Sequence, residues 1–121
     1  MRAIGLNRIL TVLLLALVLF SAILVRPVFA DEADTLRLGA KVFGANCAAC
    51  HLNGNNVVMA NKNLKQTALK EYGMDSQQAI VAQVTNGKNA MPAFKGRLND
   101  EEIQAVATYV LAQAERDWKP Q

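Results

Sequence analysis

The stretch Cys47-Ala48-Ala49-Cys50-His51 holds both cysteines and the single histidine of this 121-residue chain within five consecutive positions. On a helix, residues three and four apart share a face, so Cys47, Cys50 and His51 can converge on one flat surface. Two thiols and an imidazole aimed at one plane suit a macrocycle. The thiols can add to haem vinyl groups, and a neutral imidazole can reach the iron from the same side. The motif is the attachment sequence of one covalently bound haem c, with Cys47 and Cys50 as thioether positions and His51 as proximal ligand. The other imidazole nitrogen needs an acceptor, expected to be a backbone carbonyl whose residue is not legible from sequence. Two blander uses of Cys-X-X-Cys, a redox disulfide and half a zinc site, fare worse. Structural zinc takes four nitrogen or sulfur ligands, whereas these residues supply three, crowded too closely for a tetrahedron. A thioredoxin-like motif sits beside a βαβ pattern, and no convincing strand is visible.

Upstream of the motif, residues 1–30 read as an export signal. Arg2 and Arg8 come first, an apolar run covers 9–25, and Val28-Phe29-Ala30 places small residues at the cleavage positions. Cleavage after Ala30 is expected, giving a signal peptide, 1–30, and one domain, 31–121, with no stable membrane insertion afterwards. The run is near the lower limit of a membrane span, so an uncleaved N-terminal anchor is the alternative. Export also carries the thiols to the oxidising side of a membrane, where covalent haem attachment generally takes place. Arg2, Arg8 and Arg26 are three of the thirteen basic residues, and without them ten basic residues face ten acidic ones. The formal charge of +3 therefore describes the leader and gives no ground for nucleic-acid binding. A domain this small is short of core, and a buried porphyrin bonded at three points would serve as its staple.

Downstream of the leader, Asp34 or Thr35 can cap a helix whose apolar stripe is Leu36, Gly39, Ala40, Phe43 and Cys47. Gly39 would let another helix approach its backbone closely. From 52 to 62 the periodicity fails, and Asn53-Gly54-Asn55-Asn56 is turn chemistry, so a loop is expected around one haem edge. Asn63 can cap a short helix over 64–72 closed by Gly73, and Asp75 another through Val84, ended by Asn86-Gly87. Asn99-Asp100-Glu101-Glu102 forms a capping box, followed by the stripe Ile103, Val106, Ala107, Val110, Leu111 and Ala114, which should pack across the first helix. The pattern is an all-α domain of about four helices around one cofactor.

With no second histidine, the far side of the iron falls to a methionine, another weak ligand or nothing. Met59, Met74 and Met91 are the methionines beyond the leader. Met91 is best framed: it lies forty residues after His51, and Pro92 holds it extended and stiffens the loop. Met59 is near enough to reach, but nothing around it fixes its geometry, and Met74 sits at an expected helix start. For both, core filler is the ordinary role. An iron held by His51 and Met91 has no open position for oxygen, peroxide or substrate, and soft sulfur favours the ferrous state. Such a site moves single electrons and is no enzyme. A haem enzyme or gas sensor with an open sixth site is the competing reading.

Over residues 33–118 the chain resembles the cytochrome c6 family, soluble photosynthetic electron carriers within the class I cytochromes c. The resemblance is carried by Leu38-Gly39, Val42-Phe43, Gln83-Val84 with Asn86-Gly87-Lys88, Ala90-Met91-Pro92-Ala93-Phe94, Gly96-Arg97-Leu98, Glu101-Glu102-Ile103, Tyr109 and Trp118. Asn89 and Lys95 depart from the glycine or small residue of that pattern. The resemblance implies the class I cytochrome c fold, haem binding through Cys47, Cys50, His51 and Met91, and a helix crossing at Gly39, Phe43 and Tyr109. It places Gln83 beside the haem as a tuner of potential and Arg97 in docking to photosystem I. It also implies transfer from cytochrome f of the cytochrome b6-f complex to photosystem I in the thylakoid lumen, with the periplasm as a further location. A terminal oxidase is the alternative acceptor. On charge alone, Lys88, Lys95 and Arg97 flank Met91, and positive charge there would speed encounter with an acidic partner.

Overall fold

The computed structural model describes residues 3–24 and 28–120. Arg2 and Arg26, read above as leader cations, lie outside them, as do the side chains of Val28, Phe29 and Ala30. The chain divides into two units, Met1–Asp31 and Glu32–Gln121. Helix α1, Ala3–Leu24, is an apolar helix whose large side chains from Leu6 to Phe20 are exposed.

The remaining elements are helical, as expected: α2 Val28–Asn46, α3 Ala48–His51, a 3₁₀ turn Leu52–Gly54, α4 Gln66–Glu71, α5 Gln77–Asn86 and α6 Asp100–Glu115. Among the described residues there is no strand, only two isolated bridges, Lys88 with Met91 and Lys95 with Leu98.

At α4 and α5 the helix starts differ from expectation because neighbouring polar side chains compete for orphan backbone donors, and at α2 because the helix begins earlier. Asp34 and Thr35 do not cap α2, which is already helical before them, and Asp34 instead forms an exposed ion pair with Arg37 at 2.8 Å. Asn63 does not cap α4. Its side-chain oxygen accepts from Lys65 N at 3.0 Å, a local turn that delays the helix to Gln66. Ser76, not Asp75, caps α5, its hydroxyl accepting from Ala79 N at 3.2 Å. Gly73 and Gly87 close α4 and α5 as expected, with φ of 64° and 68°.

The start of α6 follows its sequence signature. Glu102 N donates to Asn99 Oδ1 and Asn99 N to Glu102 Oε2, both at 2.9 Å, so two orphan donors are satisfied reciprocally. Behind that cap Ile103, Ala105, Val106, Ala107, Val110 and Ala114 are buried, while Leu111 of the expected stripe is half-buried.

Helix α2 crosses α6 at Gly39. A Cβ there would collide with the Ala105 carbonyl oxygen and lie 2.6 Å from Tyr109 Cβ, so the two backbones touch through a position where a side chain cannot fit. One turn on, Phe43 packs against Tyr109 with ring centroids 5.4 Å apart. Helix α5 lies along α6, joined where the Gln77 amide donates to the Gln104 carbonyl at 2.8 Å. Val42, Phe43, Leu69, Ile80, Val84, Phe94, Ile103, Val106 and Val110 fill the space between the helices.

Gly39→Ala should destabilise the domain by about 1–3 kcal/mol, because the clash is with backbone and only helix separation relieves it. Asn99→Ala, which removes a cap and no packing, should cost about 1 kcal/mol. Urea unfolding midpoints compare the two, and an unchanged midpoint for Gly39→Ala would mean that the helices do not touch there.

Candidate haem site

Helix α2 hands its axis to the cysteine motif with one break. Cys47 N still donates to Phe43 O at 2.9 Å, and its carbonyl then accepts from both Cys50 N at 3.1 Å and His51 N at 2.9 Å. The motif is thus a single helical turn, which puts Cys47, Cys50 and His51 on one face. Cys50 is exposed and Cys47 half-buried, and desolvation pushes the Cys47 thiol up to about 11.

The acceptor for His51 is the Asn55 carbonyl, 2.9 Å from Nδ1. A carbonyl can only accept, so Nδ1 carries the proton and Nε2 keeps its lone pair for a metal. Sequence reasoning missed this partner because it depends on a backbone direction set by two left-handed residues, Asn53 at φ 54° and Gly54 at φ 74°. The loop that follows is irregular but closed. Asn56 accepts from Val58 N at 3.0 Å and Met59 N at 2.9 Å, and donates to Lys62 O at 2.7 Å.

Met91 is carried by an arm strapped to the end of α5. Phe94 N donates to Val84 O at 3.0 Å and Lys95 N to Thr85 O at 3.2 Å, while Lys88 and Met91 exchange both backbone bonds at 3.0 Å. Inside that tight turn Asn89 has φ 52°, a left-handed conformation asparagine tolerates, which explains how it can stand where a glycine was expected. A Cβ on Gly87 would lie 2.6 Å from Ala93 N and 2.7 Å from Met91 O, so the arm seats only against glycine. The Gln83 amide nitrogen is 3.6 Å from Met91 Sδ, within hydrogen-bond range for sulfur. A thioether has two lone pairs, so this bond leaves one free.

Cys47, Cys50, His51, Gln83 and Met91 line one cavity of about 270 Å³, together with Met59 and Met74. The donor set fits a haem: two thiols and an imidazole come from one chain segment, a thioether from another, and Leu69 and Phe94 supply apolar wall. Val57, Val58 and Met59 are exposed on the adjoining loop, and Val58 and Met59 reach the cavity, apolar surface of the kind a flat macrocycle would cover. Met59 is 41% exposed and Met74 packs on the core, while Met91 has the Gln83 amide at its sulfur. Of the three flanking cations, Lys88 lines the cavity. Lys95 and Arg97 do not, and the Arg97 guanidinium stacks over the Phe94 ring at 4.9 Å.

Residues 34–110 match the model of the family described as "Cytochrome C oxidase, cbb3-type, subunit III". A cytochrome c6 from a Synechococcus strain is 58% identical over 111 residues, 91% of this chain and 96% of that relative. The cytochrome c6 of Anabaena variabilis is 63% identical over 87 residues, 72% of this chain and 100% of that relative. Among solved structures, cytochrome c6 of the diatom Phaeodactylum tricornutum superposes with a TM-score of 0.67 at 55% identity, covering 69% of this chain and 98% of its own.

In the haem-free chain at neutral pH, alkylation should reach exposed Cys50 before Cys47. Labelling of Cys47 should keep accelerating as the pH rises towards about 11, since only the thiolate reacts. Peptide mapping after timed quenching reads both rates, and equal rates would show that burial does not protect Cys47.

Proposed function

Because the chain belongs to the cytochrome c6 family of class I c-type cytochromes, electron carriers with one covalently bound haem c, we propose that it passes single electrons from cytochrome f to photosystem I. His51 and Met91 are the axial ligands in this reading. The observation that carries it is the pairing across one cavity of an imidazole whose Nδ1 is already committed to Asn55 O with a thioether held by a strapped arm. When bound, the haem supplies a one-electron couple. With His51 and Met91 both holding it, the haem would offer no position for substrate, oxygen or peroxide, which favours electron transfer over catalysis of a chemical step. Gln83, donating to the Met91 sulfur, modulates how strongly that sulfur can give to iron.

Lys88, Lys95 and Arg97 are exposed on the Met91 side and would steer an acidic partner towards the haem edge, setting the on-rate of a brief encounter. Arg97 is held on Phe94, so its charge is presented at low entropic cost. Residues 1–30 are read as a signal removed after Ala30 on the way to the thylakoid lumen or periplasm. The Anabaena variabilis relative supports this, because 72% of the present chain accounts for all of it.

Three measurements test the reading. The pigment should stay with the polypeptide in acidified organic solvent. The near-infrared band of methionine-bound ferric haem should be present in the native protein and in Met59→Leu and Met74→Leu, but absent in Met91→Ala. Carbon monoxide should bind ferrous Met91→Ala readily and the native protein hardly at all, and ready binding to the native protein would show an open sixth site. For the partner, Arg97→Ala should slow electron delivery to isolated photosystem I several-fold at low salt, the difference shrinking as ionic strength rises. Equal rates at low salt would remove Arg97 from docking, and faster delivery to a terminal oxidase than to photosystem I would reassign the acceptor.

A further inference from the structure

We propose that Trp118 is a positioning residue for His51: its indole clamps Gly54 and Leu64 so that the Asn55 carbonyl stays aimed at His51 Nδ1, and it thereby sets how strongly the imidazole donates to iron. This rests on His51 being the proximal ligand, and it assigns a part to the end of the chain that the haem motif gives no hint of.

Trp118 follows α6 through a bend with two consecutive left-handed residues, Asp117 at φ 53° and Trp118 at φ 56°. Neither is glycine, and a bulky side chain disfavours that region. Two backbone bonds hold the bend, Asp117 N to Ala114 O at 3.1 Å and Trp118 N to Gln113 O at 2.9 Å. Its result is to lay the indole between the core and the haem loop. One side meets the Phe43 ring at 5.0 Å between centroids, and Tyr109 meets it edge-on at 6.1 Å. The pyrrole ring of the indole covers Gly54 so closely that a Cβ there would run into Cδ1, Nε1 and Cγ.

Hydrogen bonds close the clamp. The indole Nε1–H donates to Leu64 O at 3.0 Å, and Leu64 N donates to Gly54 O at 2.7 Å. Gly54 is therefore fixed by stacking on one side and by a bond to an anchored partner on the other. The next residue is Asn55, whose N donates to Leu52 O at 3.1 Å and whose O receives the His51 Nδ1 proton at 2.9 Å. Between His51 and Asn55 the 3₁₀ turn is interrupted, with Asn53 and Gly54 both left-handed, so no regular repeat sets the distance. The external clamp does.

The sign of the effect separates this role from general support. A weaker Nδ1–H···O=C bond makes the imidazole a poorer donor, stabilises ferric iron less and raises the reduction potential. A merely loosened fold admits water to the haem, favours the more charged ferric state and lowers it.

The test uses the haem-loaded protein, measuring the one-electron reduction potential and the solvent exchange of the His51 Nδ1 proton by NMR. Trp118→Ala should speed exchange about tenfold and raise the potential by the equivalent of about threefold in the reduction equilibrium. Trp118→Phe, which keeps a ring on Gly54 but loses the donor, should fall between Trp118→Ala and the native protein. Tyr109→Leu weakens the same aromatic cluster away from Gly54 and should lower stability while leaving both readouts in place. If Trp118→Ala does not accumulate, Trp118→Phe decides alone. Unchanged potential and exchange, or a fall in potential, overturns the assignment. Native protein whose His51 ring protons carry the iron-induced shift, combined with insensitive variants, overturns the Trp118 role and leaves ligation standing. Absence of that shift in the native protein overturns both.

Discussion

The backbone contact between Gly39 and Ala105 is the constraint from which the site is built. Helix α2 ends in the Cys47–His51 turn and α6 leads to Trp118, so the crossing that joins the two helices also brings the haem motif and the indole to one end of the domain. Helix α5 packs on α6 and ends where the Met91 arm begins. The cysteine motif and the Met91 arm therefore both hang from helices that pack, directly or through α5, on α6. A side chain at Gly39 would enter that geometry as backbone displacement, not as a local adjustment.

The two walls of the cavity are made rigid by different means. On the His51 side the order comes from a turn of helix, an Asx-closed loop around Asn56 and the indole clamp at Gly54. On the Met91 side it comes from main-chain straps to Val84 and Thr85, from the proline and from a seat that only Gly87 permits. An electron carrier gains from such stiffness, because a site that keeps its geometry in both oxidation states has little to rearrange during transfer. In the proposed role, the cations near Met91 would act on approach, at longer range than any of these contacts.

Features encoded by short, local rules were legible in the sequence. The cysteine motif, the Asn99 capping box, the α6 stripe, the Gly87 stop and the close approach at Gly39 each follow from a handful of neighbouring residues, and the helical class follows from them. Helix starts were less legible where several cap-competent residues stand together. Asp75 and Ser76 both qualify by type, and only the backbone path selects Ser76. The Asn55 carbonyl left no trace at all, since every residue has one and its aim depends on Asn53 and Gly54. The indole clamp joins residues more than fifty positions apart, Trp118 and Leu64, and no pattern in either segment announces the other. Nor did sequence distinguish Lys88, at the cavity, from Lys95 and Arg97, which stand off it.

The crossing at Gly39 also carries a lesson about time. Its partners, Gly39 and Ala105, are sixty-six positions apart, so the loop between them must close before the contact forms. A nascent chain lacking α6 holds the two thiols and the imidazole already, but not the neighbour that braces them. Until α6 docks, Cys47 to His51 lack the crossing that holds them, so the architecture of the domain closes after its binding residues are already in the chain.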